Sequence, residues 1–235
     1  MSETSSSATP LSARDAIAQH VNNTTVVSEA LESARESARE YGVAVPDTMT
    51  GAALTSLMAL TSARRDGHPA AVIASPAAGV VGLHLAAGLG DDGVLTCIDP
   101  ELEHQSLAKA AFRAAGIRPN RQRFLPSQPL EVMDRLATDS YDLVYLDVAP
   151  AILRAAQEKA WPLLRSGGAL VLTGALLDGT VADSSRTDRD TVAAREADEY
   201  MLQLDDAYVM RLPLAAGTTV SVSYTHLTLP TIYSV

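Results

Sequence analysis

One cysteine, one tryptophan and two phenylalanines are all that 235 residues contain of those types. A single thiol, Cys97, excludes an internal disulfide, and its place inside an apolar run predicts a buried, inert group suited to a reducing cytoplasm. Aromatic residues make up only 4% of the chain, so Ala, Val and Leu must pack a core that the 47% hydrophobic content is ample to form. Basic residues are outnumbered, 18 against 28 acidic, and the net charge of −10 argues against a nucleic-acid or anionic-membrane partner. No apolar run reaches the roughly 18 residues of a membrane span. The opening "MSETSSSATP" has no basic stretch followed by an apolar one, so no signal peptide is visible, and residues 1–10 are expected to be disordered.

What is present suits one α/β domain over 11–221. From Leu11 to Tyr41 apolar and alanine positions recur at helical spacing and stop at Gly42, and a further helix runs to about Ala63. From Ala70 the texture alternates. Apolar runs at Ala70–Ala74, Val94–Asp99, Arg123–Leu125, Tyr141–Asp147 and Ala169–Thr173 predict strands. Helical patterns lie between and after them, at Val80–Leu89, Glu101–Ala115, Leu130–Ala137, Ala151–Leu164 and Arg189–Leu204. Continuously apolar strands joined by helices imply a parallel sheet covered on both faces. "AYVMRLPL" and "GTTVSVS" predict an antiparallel hairpin at the sheet edge, giving a mostly parallel seven-stranded Rossmann-like sheet of the methyltransferase kind rather than a dehydrogenase.

Glycine is scarce where it would be expected most. The turn after the first strand, "VIASPAAGVVGLH", keeps only Gly79, with Ser75, Pro76, Ala77 and Ala78 before it. Such a turn must let backbone approach a ligand, and Pro76 removes a donor and fixes φ. A compact strand-to-helix turn with no ligand is the other reading. Asp99, ending the second strand in "TCIDPE", can accept both hydrogen bonds of a ribose, or cap the helix that Pro100 would open.

The pieces "TGAALTSLMAL", "GVLTCIDPELEHQSLAKAAFRAAGI", "YDLVYLD", "AWPLLRSGGALVL" and "LLDGTVAD" stand in fixed order between about His20 and Val220. Together they resemble the bacterial branch of the S-adenosylmethionine-dependent O-methyltransferases of the catechol and caffeoyl-CoA type. The resemblance implies a class I methyltransferase fold, S-adenosylmethionine as cofactor, a small hydroxylated substrate and a homodimer. It places Ser75, Ala77 and Gly79 in the cofactor turn, with Gly82 also kept and Ile73 where an acid is usual. Asp99 takes the ribose position, and Ser127 and Gln128, between Pro126 and Pro129, take the adenine pocket. Asp147 falls on the first metal-ligand position, beside both cofactor and reaction centre. The remaining ligand pair falls on Thr173 and Gly174, and the assisting lysine on Pro150. One carboxylate provides poorly for a hard cation, so the metal mechanism is expected to be lost and no metal ligand is assigned. Asp178 and Asp183 are expected in a turn and at a cap or in solvent. His20, His84 and exposed His104 are expected at the surface or in packing, with Glu101 on the surface, and no chemistry is assigned to His68.

A cytoplasmic O-methyltransferase is the leading expectation, and a catalytically silent scaffold of the same fold is the alternative. The missing phosphate-binding glycines count against a nicotinamide-dependent dehydrogenase. The last residues, "VSYTHLTLPTIYSV", resemble the translation of a sequencing-library transposon adapter. Val222–Val235 is therefore expected to replace the native C-terminus, and His226 carries no functional weight.

Overall fold

Serine or aspartate opens each of the first three helices. The computed structural model describes residues 12–63 and 67–224. In it, Ser12 caps α1 (Ala13–Thr24), Ser28 caps α2 (Glu29–Glu40) and Asp47 caps α3 (Thr48–Ser62). Each cap side chain accepts from the backbone N–H three residues on. The helical spacing expected from Leu11 to Tyr41 is thus two helices. The break falls in "NNTTVV", residues that propagate a helix poorly, where the Thr24 and Thr25 hydroxyls turn back onto the His20 and Val21 carbonyls at 2.8 Å. α2 ends as expected, with Gly42 in the left-handed region at φ +68°.

The rest alternates strand and helix. β1 (Ala70–Ala74), α4 (Ala78–Leu89), β2 (Val94–Ile98), α5 (Leu102–Ala114), β3 (Gln122–Leu125) and α6 (Pro129–Met133) form the first half. β4 (Tyr141–Leu146), α7 (Pro150–Ala160), β5 (Leu164–Leu172), α8 (Arg189–Leu202), β6 (Ala207–Leu212) and β7 (Thr218–Ser223) form the second. They build one sheet in the order β3-β2-β1-β4-β5-β7-β6. The first five strands run parallel, and β7 pairs antiparallel with both β5 and β6. The hairpin therefore folds back so that its second strand lies inside and its first forms the edge.

Side chains alternate across the strands. Ala71, Ile73, Leu143 and Tyr145 enter a core with α2, α3, α4 and α5, and Val72, Ala74, Val144 and Leu146 enter one with α6, α7 and α8. Cys97 is buried in the first core, and burial pushes its thiol up to about 12, which makes it unreactive at neutral pH.

Several boundaries differ from expectation. β5 starts at Leu164 rather than Ala169, because Leu164 pairs with Tyr141 across a register shift that Gly167, at φ +82°, accommodates. The helix expected to run to Leu164 stops at Ala160, and Pro162 lies in a 3₁₀ turn at Trp161–Leu163. α6 ends at Met133, four residues short of Ala137. Of the expected tail, Val222 pairs with Ala169 and Tyr208, and Tyr224 stacks on Tyr208 at 4.3 Å. Residues 225–235 of it, with His226, and the expected disorder of 1–10 lie outside the described residues.

Candidate active site

Strand register brings the candidate residues together. Ala74 at the end of β1 pairs with Ile98 of β2 on one side and Leu146 of β4 on the other. The next residues, Ser75, Asp99 and Asp147, therefore leave three neighbouring strands side by side. β3 adds Ser127, two residues past Leu125, which pairs with Ile98. With strands about 4.8 Å apart, the row Ser127–Asp99–Ser75–Asp147 spans roughly 14 Å along the carboxyl edge of the sheet. The connection from β1 runs one way to β2 and β3, and the chain then returns to β4, so the row straddles the switch point where open α/β sheets bind ligands.

Ser75 and Asp147 form one unit. The Ser75 hydroxyl donates to Asp147 Oδ2 at 2.9 Å and accepts from the Ala77 N–H at 3.0 Å. The Asp147 N–H in turn donates to the Ala74 carbonyl at 2.9 Å. Ser75 thus holds the glycine-poor turn and fixes the carboxylate across the strand gap. Burial raises the Asp147 pKa, and the Ser75 hydrogen bond opposes that rise. The Tyr145 phenol, fully buried one strand turn before, is also raised by burial and by the Asp147 charge, with a Thr173 hydrogen bond acting against them.

Ala77 and Gly79 are buried. A Cβ built on Gly79 would lie 3.1 Å from the Ala108 Cα, and one on Gly82 would lie 2.3 Å from the Phe112 ring. Both retained glycines are therefore where α4 crosses α5 closely. Beside the turn, between Ala38, Val43, Pro76 and Ala111, only about 10 Å³ is open, so the helix-facing side of the turn leaves no room for a ligand. Ile73, at the usual acidic position, is packed in the core against the same helices.

Asp99 is not the cap of α5. Glu101, itself extended, is the residue preceding the helix, and Pro100 lies outside it in a bend. Asp99 instead makes a tighter turn: its Oδ1 accepts from the Glu101 N–H at 2.7 Å and meets His104 Nδ1 at 3.1 Å. Gln105 holds the Asp99 carbonyl at 2.8 Å. His104, expected at the surface, thus faces the carboxylate. A histidine five residues after a strand-end acid, on the first turn of the next helix, was the available signal. Among the described residues, Asp99 Oδ2 and Asp147 Oδ1 take no hydrogen bond.

Ser127 is partly buried and donates to Glu131 at 2.8 Å, while Gln128 is exposed just before α6, which Pro129 opens. Ser127 borders a cavity of about 340 Å³ shared with Arg123, Leu125 and Arg135.

Asp147 borders a separate cavity of about 270 Å³. Val45 and Pro46 before α3, Tyr145, Thr173, and the β6–β7 turn at Ala216 form its walls. The sequence missed Tyr145 and the Ala216 turn, because a strand residue and a hairpin linker carry no local mark of a site. Thr173 and Gly174 occupy the expected place, where the Gly174 N–H donates to the Ala215 carbonyl at 3.0 Å. Pro150 opens α7. Asp147 is the one carboxylate lining this cavity, and among the described residues no three His, Cys, Asp or Glu side chains converge as a metal site. Asp178 sits in a left-handed turn at φ +52°. Asp183 is fully exposed and held by Ser185, whose hydrogen bonds lower its pKa. Neither reaches the cavity.

Comparison with known proteins bears on the chain's family and fold. A family model described as O-methyltransferase matches residues 50–223. A Mycolicibacterium vanbaalenii protein, provisionally named as an O-methyltransferase, is 39% identical over 203 residues, covering 86% of this chain and 88% of its own. A Mycolicibacterium smegmatis protein with a similar name is 37% identical, covering 90% and 98%. The crystal structure of a Corynebacterium glutamicum protein superimposes with a TM-score of 0.87 at 51% identity, over 93% of this chain and 100% of that one. The O-methyltransferase TomG from Streptomyces achromogenes, solved in complex with S-adenosylmethionine, shares the fold with a TM-score of 0.77 at 21% identity, over 89% and 96%.

Proposed function

The chain belongs to the O-methyltransferase family, and from that premise we propose that it binds S-adenosylmethionine along the Ser127–Asp99–Ser75–Asp147 row and methylates a hydroxyl of a small molecule. The observation that carries the reading is the register of β1, β2 and β4, which sets two carboxylates and a serine in line at the switch point.

The residues fit the cofactor. Asp99 has one oxygen anchored by Glu101 and His104 and the other available to ribose hydroxyls. Ser127 and Gln128 stand at the adenine end. At the other end Asp147 offers Oδ1 to a cation or to an acceptor hydroxyl. When bound, the cofactor supplies an electrophilic methyl group on a sulfonium. The Val45, Pro46 and Ala216 walls orient the acceptor and exclude water. Asp147, its proton affinity raised by burial, would take the proton of the acceptor hydroxyl.

The same donor set does not suit Mg²⁺. A hard cation asks for several oxygen ligands, and Thr173 and Gly174 add no carboxylate to Asp147. The reaction is proposed to need no divalent metal. The proposal also includes a cytoplasmic homodimer, supported by the single cysteine and by apolar side chains exposed on the N-terminal helices, Ile17 and Leu60 among them. It treats 11–221 as one domain and Val222–Val235 as a non-native tail, although the family match runs two residues past that boundary, to 223.

Calorimetric titration with S-adenosylmethionine tests the core of this reading. Binding is expected, with equal affinity in Mg²⁺ and in EDTA, and Asp99→Ala should weaken it by roughly 1–3 kcal/mol through loss of a charged hydrogen bond. No detectable binding would overturn the proposal in favour of a silent scaffold. A loss of affinity in EDTA would overturn the metal-free part alone.

A further inference from the structure

A further cavity, of about 420 Å³, opens between α2, α3 and α4 and shares no lining residue with the one at Asp147. Its volume falls in the range of small-molecule sites. Most of its wall is apolar, from Val27, Leu31 and Leu83, with Ser28, Thr48 and Ser56 among its polar groups. One cation lies in it. Arg35 is partly buried, its Nε is enclosed without a hydrogen-bond partner, and no carboxylate among the described residues pairs with it.

Among the described residues the guanidinium's hydrogen-bond partner is His84, whose Nε2 lies 3.5 Å from an Arg35 terminal nitrogen. Arginine can only donate, so Nε2 is the acceptor and the ring is neutral. Close packing fixes that ring. A Cβ on Gly51 of α3 would sit 2.3 Å from it, and Thr55 holds the His84 carbonyl at 2.9 Å. A partly buried guanidinium with one nitrogen enclosed and unpartnered, beside a neutral ring and with no counter-ion among the described residues, is a favourable place for an anion.

We propose that this cavity is a binding site for a small organic carboxylate with an apolar body, distinct from the methyl-transfer site. The guanidinium would take the carboxylate and the aliphatic wall the body. One cation in a chain of net charge −10 matches a monoanion better than a phosphate dianion. The proposal is independent of the methyltransferase reading.

Calorimetry on the full chain with benzoate and with hexanoate tests it. Each is expected to bind in the millimolar range or tighter, while benzamide and inorganic phosphate do not. Arg35→Gln should weaken benzoate about tenfold or more. Ala52→Phe, at an exposed position on α3 that borders the cavity, should block binding while sparing the Arg35–His84 pair, and Asp147→Asn should leave it unchanged. Absence of binding by both anions at tens of millimolar, or binding that survives both cavity variants, would overturn the proposal. So would a wild type blind to benzoate whose oligomeric state changes in Arg35→Gln, which would give the cavity to a carboxylate of a second chain.

Discussion

Asp147 is held in a place that favours its neutral form. Its pKa is raised above the ordinary carboxylate value, so its contribution to stability is present at low pH and is lost as pH rises through the folded pKa. At neutral pH the buried charge therefore works against folding. Asp147→Asn keeps an acceptor for the Ser75 hydroxyl and removes that charge, so the variant should melt at or above the wild-type temperature while methyl transfer falls by about 10²-fold or more. Thermal unfolding and initial rates check the two halves separately. A variant both less stable and inactive would make Asp147 a structural residue. Much at this scale was legible. The sequence pointed to Asp99, Ser75 and Asp147, and each stands at a strand tip as expected. It did not reveal that Ser75 and Asp147 bond to each other, since 72 residues separate them.

At the scale of elements, α4 has two glycines whose absent side chains matter differently. A Cβ on Gly82 would run into the Phe112 ring at 2.3 Å, whereas one on Gly79 would meet the Ala108 Cα at 3.1 Å and could be relieved by a small shift. Gly82→Ala should destabilise by about 1–3 kcal/mol through overpacking, and Gly79→Ala by less. Urea unfolding gives both values, and the order Gly82 above Gly79 is the prediction at risk. Helix starts were the most readable feature, because caps such as Ser28 and Asp47 act within one turn of chain. Element ends were less so. β5 begins at Leu164 only because Tyr141, on another strand, pairs with it.

For the molecule as a whole, acid stability and assembly follow from the N-terminal helices and the helix they cover. Burial, with help from the Arg35 charge, lowers the His84 pKa from 6.5 to about 4. The stabilising contribution of neutral His84 is complete above about 6.5 and is lost as pH falls through about 4, because the unfolded chain takes up a proton that the fold refuses. Between pH 6.5 and 5 the wild type should lose ~2 kcal/mol more than His84→Gln. Urea midpoints at the two pH values measure the difference, and parallel losses would mean His84 titrates normally. Val26, between α1 and α2, is 95% exposed, and Leu60, on α3, is 70% exposed. If these apolar residues form the proposed homodimer interface, Val26→Asp with Leu60→Asp should shift sedimentation from dimer to monomer with the fold retained.

By itself the sequence determined which chemistry was on hand: a carboxylate at each of two strand tips, a turn with few glycines, and alternating elements that admit one class of sheet. Those are local properties, set by residue type, spacing and the few bonds within a helical turn. Only the tertiary structure decided which groups became neighbours. It joined Ser75 to Asp147, turned Gly79 and Gly82 toward α5, set His104 on Asp99 and enclosed Arg35 beside His84. The reason is physical: strand pairing and helix packing link residues far apart in the chain, and no pattern confined to one segment records which partner another segment will bring.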